Sequence, residues 1–71
     1  MDIIKFPKYK IGDTVYCRIK KGSVVKITIT NWYIEDNEVR YTADNPGNED
    51  YEYSNISEDI LDFKIEKLMN K

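Results

Sequence analysis

Seventy-one residues carrying 11 basic and 13 acidic side chains, a formal charge of −2 and 41% apolar content make one small globular domain. One cysteine and no histidine exclude an internal disulfide, the four-ligand zinc sets, and Ser-His-Asp or Cys-His catalysis. Gly12, Gly22 and Gly47 are too scattered for a phosphate-cradling loop. The chain therefore reads as a non-enzyme with no cofactor and no metal.

No run approaches the roughly 20 apolar residues of a membrane helix. Met1-Asp2-Ile3-Ile4-Lys5 lacks the basic-then-apolar layout of a secretory signal. With one unpaired cysteine, the expectation is a cytoplasmic protein without membrane association. Ten Ile, four Val, four Thr and nine aromatics against two Leu and one Ala favour strands, because β-branched and aromatic side chains suit a pleated, half-buried surface.

In chain order, residues 1–10 read as a tail or edge segment anchored by Ile3, Ile4, Phe6 and Tyr9. Residues 11–71 read as the domain. A first strand runs from Asp13 to Lys20, with Val15, Cys17 and Ile19 on one face and Tyr16, Arg18 and Lys20 on the other. A long second strand covers Ser23 to Glu35, a third Glu38 to Ala43 and a fourth Tyr51 to Asn55. A short 3-10 or helical turn is expected at Ser57–Ile60. Residues 61–69 fit a short strand by Leu61, Phe63 and Ile65, or a terminal helix by Leu61, Ile65 and Leu68.

The registers follow from which side chains must share a face. Lys20-Lys21-Gly22 as a three-residue loop pairs Cys17 with Val25 and Val15 with Ile27. Asp36-Asn37 as a two-residue loop pairs Ile34 with Val39 and Trp32 with Tyr41. These two registers conflict. Val25, Ile27 and Ile29 face inward at odd positions, whereas Trp32 and Ile34 face inward at even ones. One extra residue must be absorbed at Thr30-Asn31 as a β-bulge, bending the strand. A bent second strand shared by two small sheets closes a five-stranded SH3-like barrel. Asn45-Pro46-Gly47-Asn48 fits a type II turn within a long polar loop, Asp44 to Asp50.

Three segments carry a resemblance. They are Ile11-Gly12-Asp13-Thr14-Val15-Tyr16, the long Val24–Ile34 strand with its tight polar hairpin, and Tyr53-Ser54-Asn55-Ile56-Ser57-Glu58-Asp59-Ile60. Over about residues 11–68 the chain resembles small SH3-like barrel proteins of phages and mobile elements in low-GC Gram-positive bacteria. Abundant Ile, Lys, Asn and Tyr with little Ala, Gly, Pro and Arg also fit a low-GC genome. The resemblance implies a protein-binding module, such as a phage-encoded inhibitor that docks on a host protein, for example an immunity factor. The acidic-aromatic stretch with which eukaryotic SH3 domains take proline-rich peptides is not recognisable, so no binding residue is carried over from it.

Two charged surfaces are candidates. Residues 1–30 carry seven Lys or Arg against two Asp, and residues 31–71 four against eleven acidic residues. A basic face, Tyr16, Arg18, Lys20, Lys21, Lys26 and Arg40, would suit a phosphate backbone. An acidic face, Asp44, Glu49, Asp50, Glu52, Glu58, Asp59 and Asp62, would suit a basic patch on a partner protein. For each, an ordinary solvated face is the competing reading. The acidic residues lack the spacing of a calcium loop. Tyr51 with Tyr53, and Trp32 with Tyr41, are expected to pack in the core. Cys17 reads as a buried reduced thiol. The Asn55-Ile56-Ser57 glycosylation pattern is expected to go unused in the cytosol. A protein partner is thus expected first, with nucleic acid the alternative. A third reading is a structural homo-oligomer built through exposed edge strands.

Overall fold

The computed structural model describes residues 6–69; Ile3 and Ile4 lie outside them. Five strands, β1 (Thr14–Lys20), β2 (Ser23–Glu35), β3 (Glu38–Asn45), β4 (Asn48–Ser57) and β5 (Leu61–Asp62), form one antiparallel sheet in the order β4-β3-β2-β1-β5. A 3-10 turn, Glu58–Ile60, joins β4 to β5, and a short helix α1 (Ile65–Met69) closes the chain. Both expected forms of the C-terminal stretch are therefore present, one after the other. The strand order is consistent with an SH3-like barrel.

The alternation of apolar residues on β1 and β3 determines the inner face. Val15, Cys17, Val39, Tyr41 and Ala43 are buried together with Ile27, Ile29, Ile56 and Leu61. The predicted pairs Val15–Ile27, Cys17–Val25, Trp32–Tyr41 and Ile34–Val39 are all present. The register between β2 and β3 shifts between Ile29 and Asn31, which places the bulge at Thr30. Side chains there compensate for the broken ladder. The Thr30 hydroxyl donates to the Thr42 carbonyl (3.1 Å), and the Trp32 N–H donates to Asn31 Oδ1 (2.8 Å). Past the bulge the inward positions change parity, and Trp32 packs half-buried against the core.

Five expectations are corrected. Ile19 does not join Val15 and Cys17 inside but is 49% exposed. Lys20 pairs directly with Ser23, so the first turn is the two residues Lys21-Gly22, and the extra residue is taken up as an irregularity at Ile19. Gly22 still carries the positive φ, 81°. Ile34 is paired as predicted but 50% exposed, because it lies next to the open end of the second hairpin, whose Asp36 and Asn37 take φ of 51° and 65°. The stretch Asp44–Asp50 is not a long loop: β3 and β4 run into it and Asn45 pairs with Asn48. The turn there is not type II, because Gly47 lacks the required positive φ. Asn45 Oδ1 instead accepts the Gly47 N–H at 2.9 Å, an Asx turn that substitutes for it.

A further irregularity was not foreseen. Ser54 and Asn55 together stand opposite Thr42, and Asn55 has φ 57°. This bulge returns Ile56 to the core opposite Tyr41 and brings Ser57 opposite Arg40.

The segment before β1 is part of the core. Asp13 closes a turn on Lys10, accepting the Lys10 N–H at 2.8 Å, and Gly12 and Asp13 extend the pairing to Ile29. That turn delivers Tyr9 to the interior, where it is 0% exposed. Phe6, expected to anchor the same segment, is 76% exposed. Leu68 of α1 is buried, and the helix packs on β1, β2 and β5.

Candidate functional site

The expected basic face is brought together only in part. Tyr16 and Lys26 are cross-strand partners, and Arg18 lies two residues along β1 from Tyr16, opposite Val24. Lys20 and Lys21 follow at the turn, and Lys20, Lys21 and Lys26 are exposed. Arg40 does not belong with them. It sits on β3 opposite Tyr33, beyond the Thr30 bulge, and its guanidinium is paired with Glu38 at 2.9 Å. Its Nε is buried without a hydrogen-bond partner. Alternation along each strand was legible, but the bend that separates Arg40 from Lys26 has to be propagated through the whole sheet.

The acidic residues divide as well. Asp44 and Glu52 face each other across β3 and β4, while Glu58 and Asp59 lie in the 3-10 turn. Asp62 is opposite Tyr16. Its carboxylate accepts the Lys64 N–H at 2.9 Å, and this bond first, then the charges of Lys67 and Lys8, hold it below the usual carboxylate range. The side chains of Glu49, Asp50 and Tyr51 lie outside the described ones.

Glu58 is more than a surface charge. Its Oε2 accepts the Lys8 N–H at 2.8 Å and the Tyr41 hydroxyl. The Tyr41 oxygen in turn accepts the Tyr9 N–H at 3.2 Å, and the Tyr9 hydroxyl donates to the Leu61 carbonyl at 2.7 Å. The Tyr9 ring meets Tyr41 and Phe63 edge-on, with centroids 5.7 and 5.2 Å apart. Burial pushes both phenols up to about 12; the charges of Asp62 and Glu58 add to this at Tyr9, and the Glu58 hydrogen bond adds at Tyr41. These groups stay protonated at neutral pH and act as donors. The Cys17 thiol is likewise raised by burial, against the opposing charge of Arg18, which disfavours the reactive thiolate.

Beside this network lies an open groove of about 460 Å³, lined by Phe6, Glu38, Val39, Ser57, Glu58 and Asp59. Phe6 and Val39 supply apolar surface, and three carboxylates surround it. Glu58 and Asp59 were legible as part of an acidic stretch. Phe6, Glu38, Val39 and Ser57 carry no site signal in the sequence, where Phe6 and Val39 read only as packing residues, because they meet only through the Asn55 bulge and the inward turn at Tyr9. Asp59 accepts a hydrogen bond from the Ser57 hydroxyl, which holds its side chain over the start of the 3-10 turn. Among the described residues no group of three or more Cys, Asp or Glu is placed to hold a metal ion. The arrangement suits cation recognition beside an apolar contact. Comparison of the chain with protein families, with curated proteins and with solved structures found no match.

Proposed function

We propose that the chain is a non-enzymatic protein-binding module that seats a basic segment of a partner protein, anchored by one apolar side chain, in the Phe6–Val39 groove. The observation that carries this reading is the pairing of an exposed aromatic with three carboxylates around one concavity. Its volume falls in the range of about 300–1,000 Å³ in which proteins hold compact ligands. An apolar anchor gains by desolvation, and Arg or Lys beside it gains from Glu58 and Asp59, with Glu38 shared with Arg40. Glu58 is already fixed by Tyr41 and the Lys8 backbone, so little side-chain entropy is lost when a cation docks.

The test is a titration of the isotope-labelled protein with a short peptide of sequence Arg-Leu-Arg-Lys, followed by amide chemical shifts. Saturable shifts at Phe6, Val39, Ser57 and Asp59, lost in the Glu38→Lys/Asp59→Lys variant, are the expected outcome. No shifts at these residues at roughly millimolar peptide, where even weak docking registers, would overturn the reading. So would equal shifts with Glu-Leu-Glu-Asp.

A further inference from the structure

We infer that the β1–β2 hairpin is a binding surface for single-stranded nucleic acid. It is a second surface, since none of its residues lines the groove.

From Thr14 to Ile34 the chain holds four cations, Arg18, Lys20, Lys21 and Lys26, and no acidic residue. Twenty-one consecutive residues without a carboxylate, in a chain of net charge −2, concentrate positive potential on one hairpin. Among the described residues Arg40 and Glu38 form the ion pair seen, and none of the four hairpin cations is paired with a carboxylate. Their charge is therefore available to an incoming anion.

Acidic groups border the hairpin at two places. Asp62, opposite Tyr16, accepts the Lys64 N–H, and the charges of Lys67 and Lys8 face it. The 3-10 turn packs against β1, and its Glu58 and Asp59 line the groove.

The geometry favours a single strand. Tyr16 and Arg18 share the outer face of β1, so their side chains stand about 7 Å apart, a spacing comparable to that of phosphates along an extended nucleic-acid strand; past the irregularity at Ile19, Lys20 and Lys21 add their charge at the turn. Tyr16, half-buried beside Lys26, offers a ring edge and face on which an unpaired base can stack. A duplex keeps its bases stacked internally and denies that contact. The irregularity at Ile19 turns an apolar side chain outward between Arg18 and Lys20, adding a second surface for a base.

The probe is a fluorescein-labelled oligothymidylate measured by anisotropy. Four released counterions on a single strand give a log–log salt slope of about −2.8, so affinity falls about 50-fold between about 50 and 200 mM salt. Lys20→Gln/Lys21→Gln should halve that slope to about −1.4, while Lys64→Gln/Lys67→Gln leaves it unchanged. Tyr16→Ala should weaken binding about 5-fold or more through lost stacking, and Tyr16→Phe should retain it. The lysine substitutions lie at exposed positions, and circular dichroism verifies the fold of each variant. The inference is overturned by absence of binding at about 50 mM salt, by an unchanged slope in Lys20→Gln/Lys21→Gln, by duplex DNA binding as tightly as the single strand, or by polyglutamate competing equally well. The Arg-Leu-Arg-Lys titration is read at other residues, so either surface can fail without the other.

Discussion

Replacing Tyr9 with Phe isolates one buried hydrogen bond at the junction between the entering segment and the sheet. The ring remains, with its edge contacts to Tyr41 and Phe63, so no large cavity forms. What is lost is the hydroxyl that donates to the Leu61 carbonyl at 2.7 Å. Leu61 is buried, and its carbonyl would lose that donor. An orphaned buried acceptor costs about 1–3 kcal/mol. A domain of this size has a total stability of about 4–10 kcal/mol, and about 4–8 °C of Tm accompanies each kcal/mol. The expected outcome is a fall in Tm of roughly 5–20 °C, with an unchanged urea m-value. Unfolding can be followed by the fluorescence of Trp32, the single tryptophan. Tyr9→Ala should cost about 3–5 kcal/mol, enough to leave much of the chain unfolded. If Tyr9→Phe lies within about 0.5 kcal/mol of the parent, as surface substitutions do, Tyr9 is not the buried anchor described above.

Alkaline pH should unfold the protein through the two buried phenols. Their folded-state values of about 12 lie above the ordinary 10, so the stability they contribute is fully present below pH 10. It is lost as pH rises toward 12, and a thermal-unfolding series should be flat from neutrality to about pH 9.5 and then decline; a decline beginning near neutrality would contradict this assignment. Cys17 should react with a thiol reagent far more slowly in buffer than in urea, because it is buried and its thiol is raised; equal rates would place it outside. Gly22→Ala should destabilise by about 1 kcal/mol from positive φ alone, since nothing stands within 4 Å of the added methyl; an unchanged urea midpoint would show that the turn relaxes.

Much of the sheet was legible because faces constrain registers. Val15, Cys17, Val25 and Ile27 demanded one pairing and Trp32, Ile34, Val39 and Tyr41 another, and only a bulge at Thr30-Asn31 reconciles them. The bounds of β2 and the left-handed residues at Asp36, Asn37 and Gly22 follow from the same reading. What escaped depended on tertiary competition. Pro46-Gly47 has type II chemistry, but the Asn45 side chain closes the turn instead. Ile19 is apolar and in phase, yet the tight Lys21-Gly22 turn ejects it. The groove escaped because its lining comes from three distant stretches, which meet through the Asn55 bulge and the Tyr9–Tyr41–Glu58 chain of hydrogen bonds. The two charged faces were read as continuous, and the bend of β2 that the sequence itself implied is what divides the basic one.

That bend sets the register of the whole β2–β3 pairing and parts Arg40 from the hairpin cations, and interstrand nuclear Overhauser effects measure it directly. One sample should show backbone contacts linking Ile29 to Ala43 and Trp32 to Tyr41, a register that changes by one residue across Thr30. Contacts placing Trp32 opposite Arg40, the continuation of the Ile29–Ala43 register, would contradict the account.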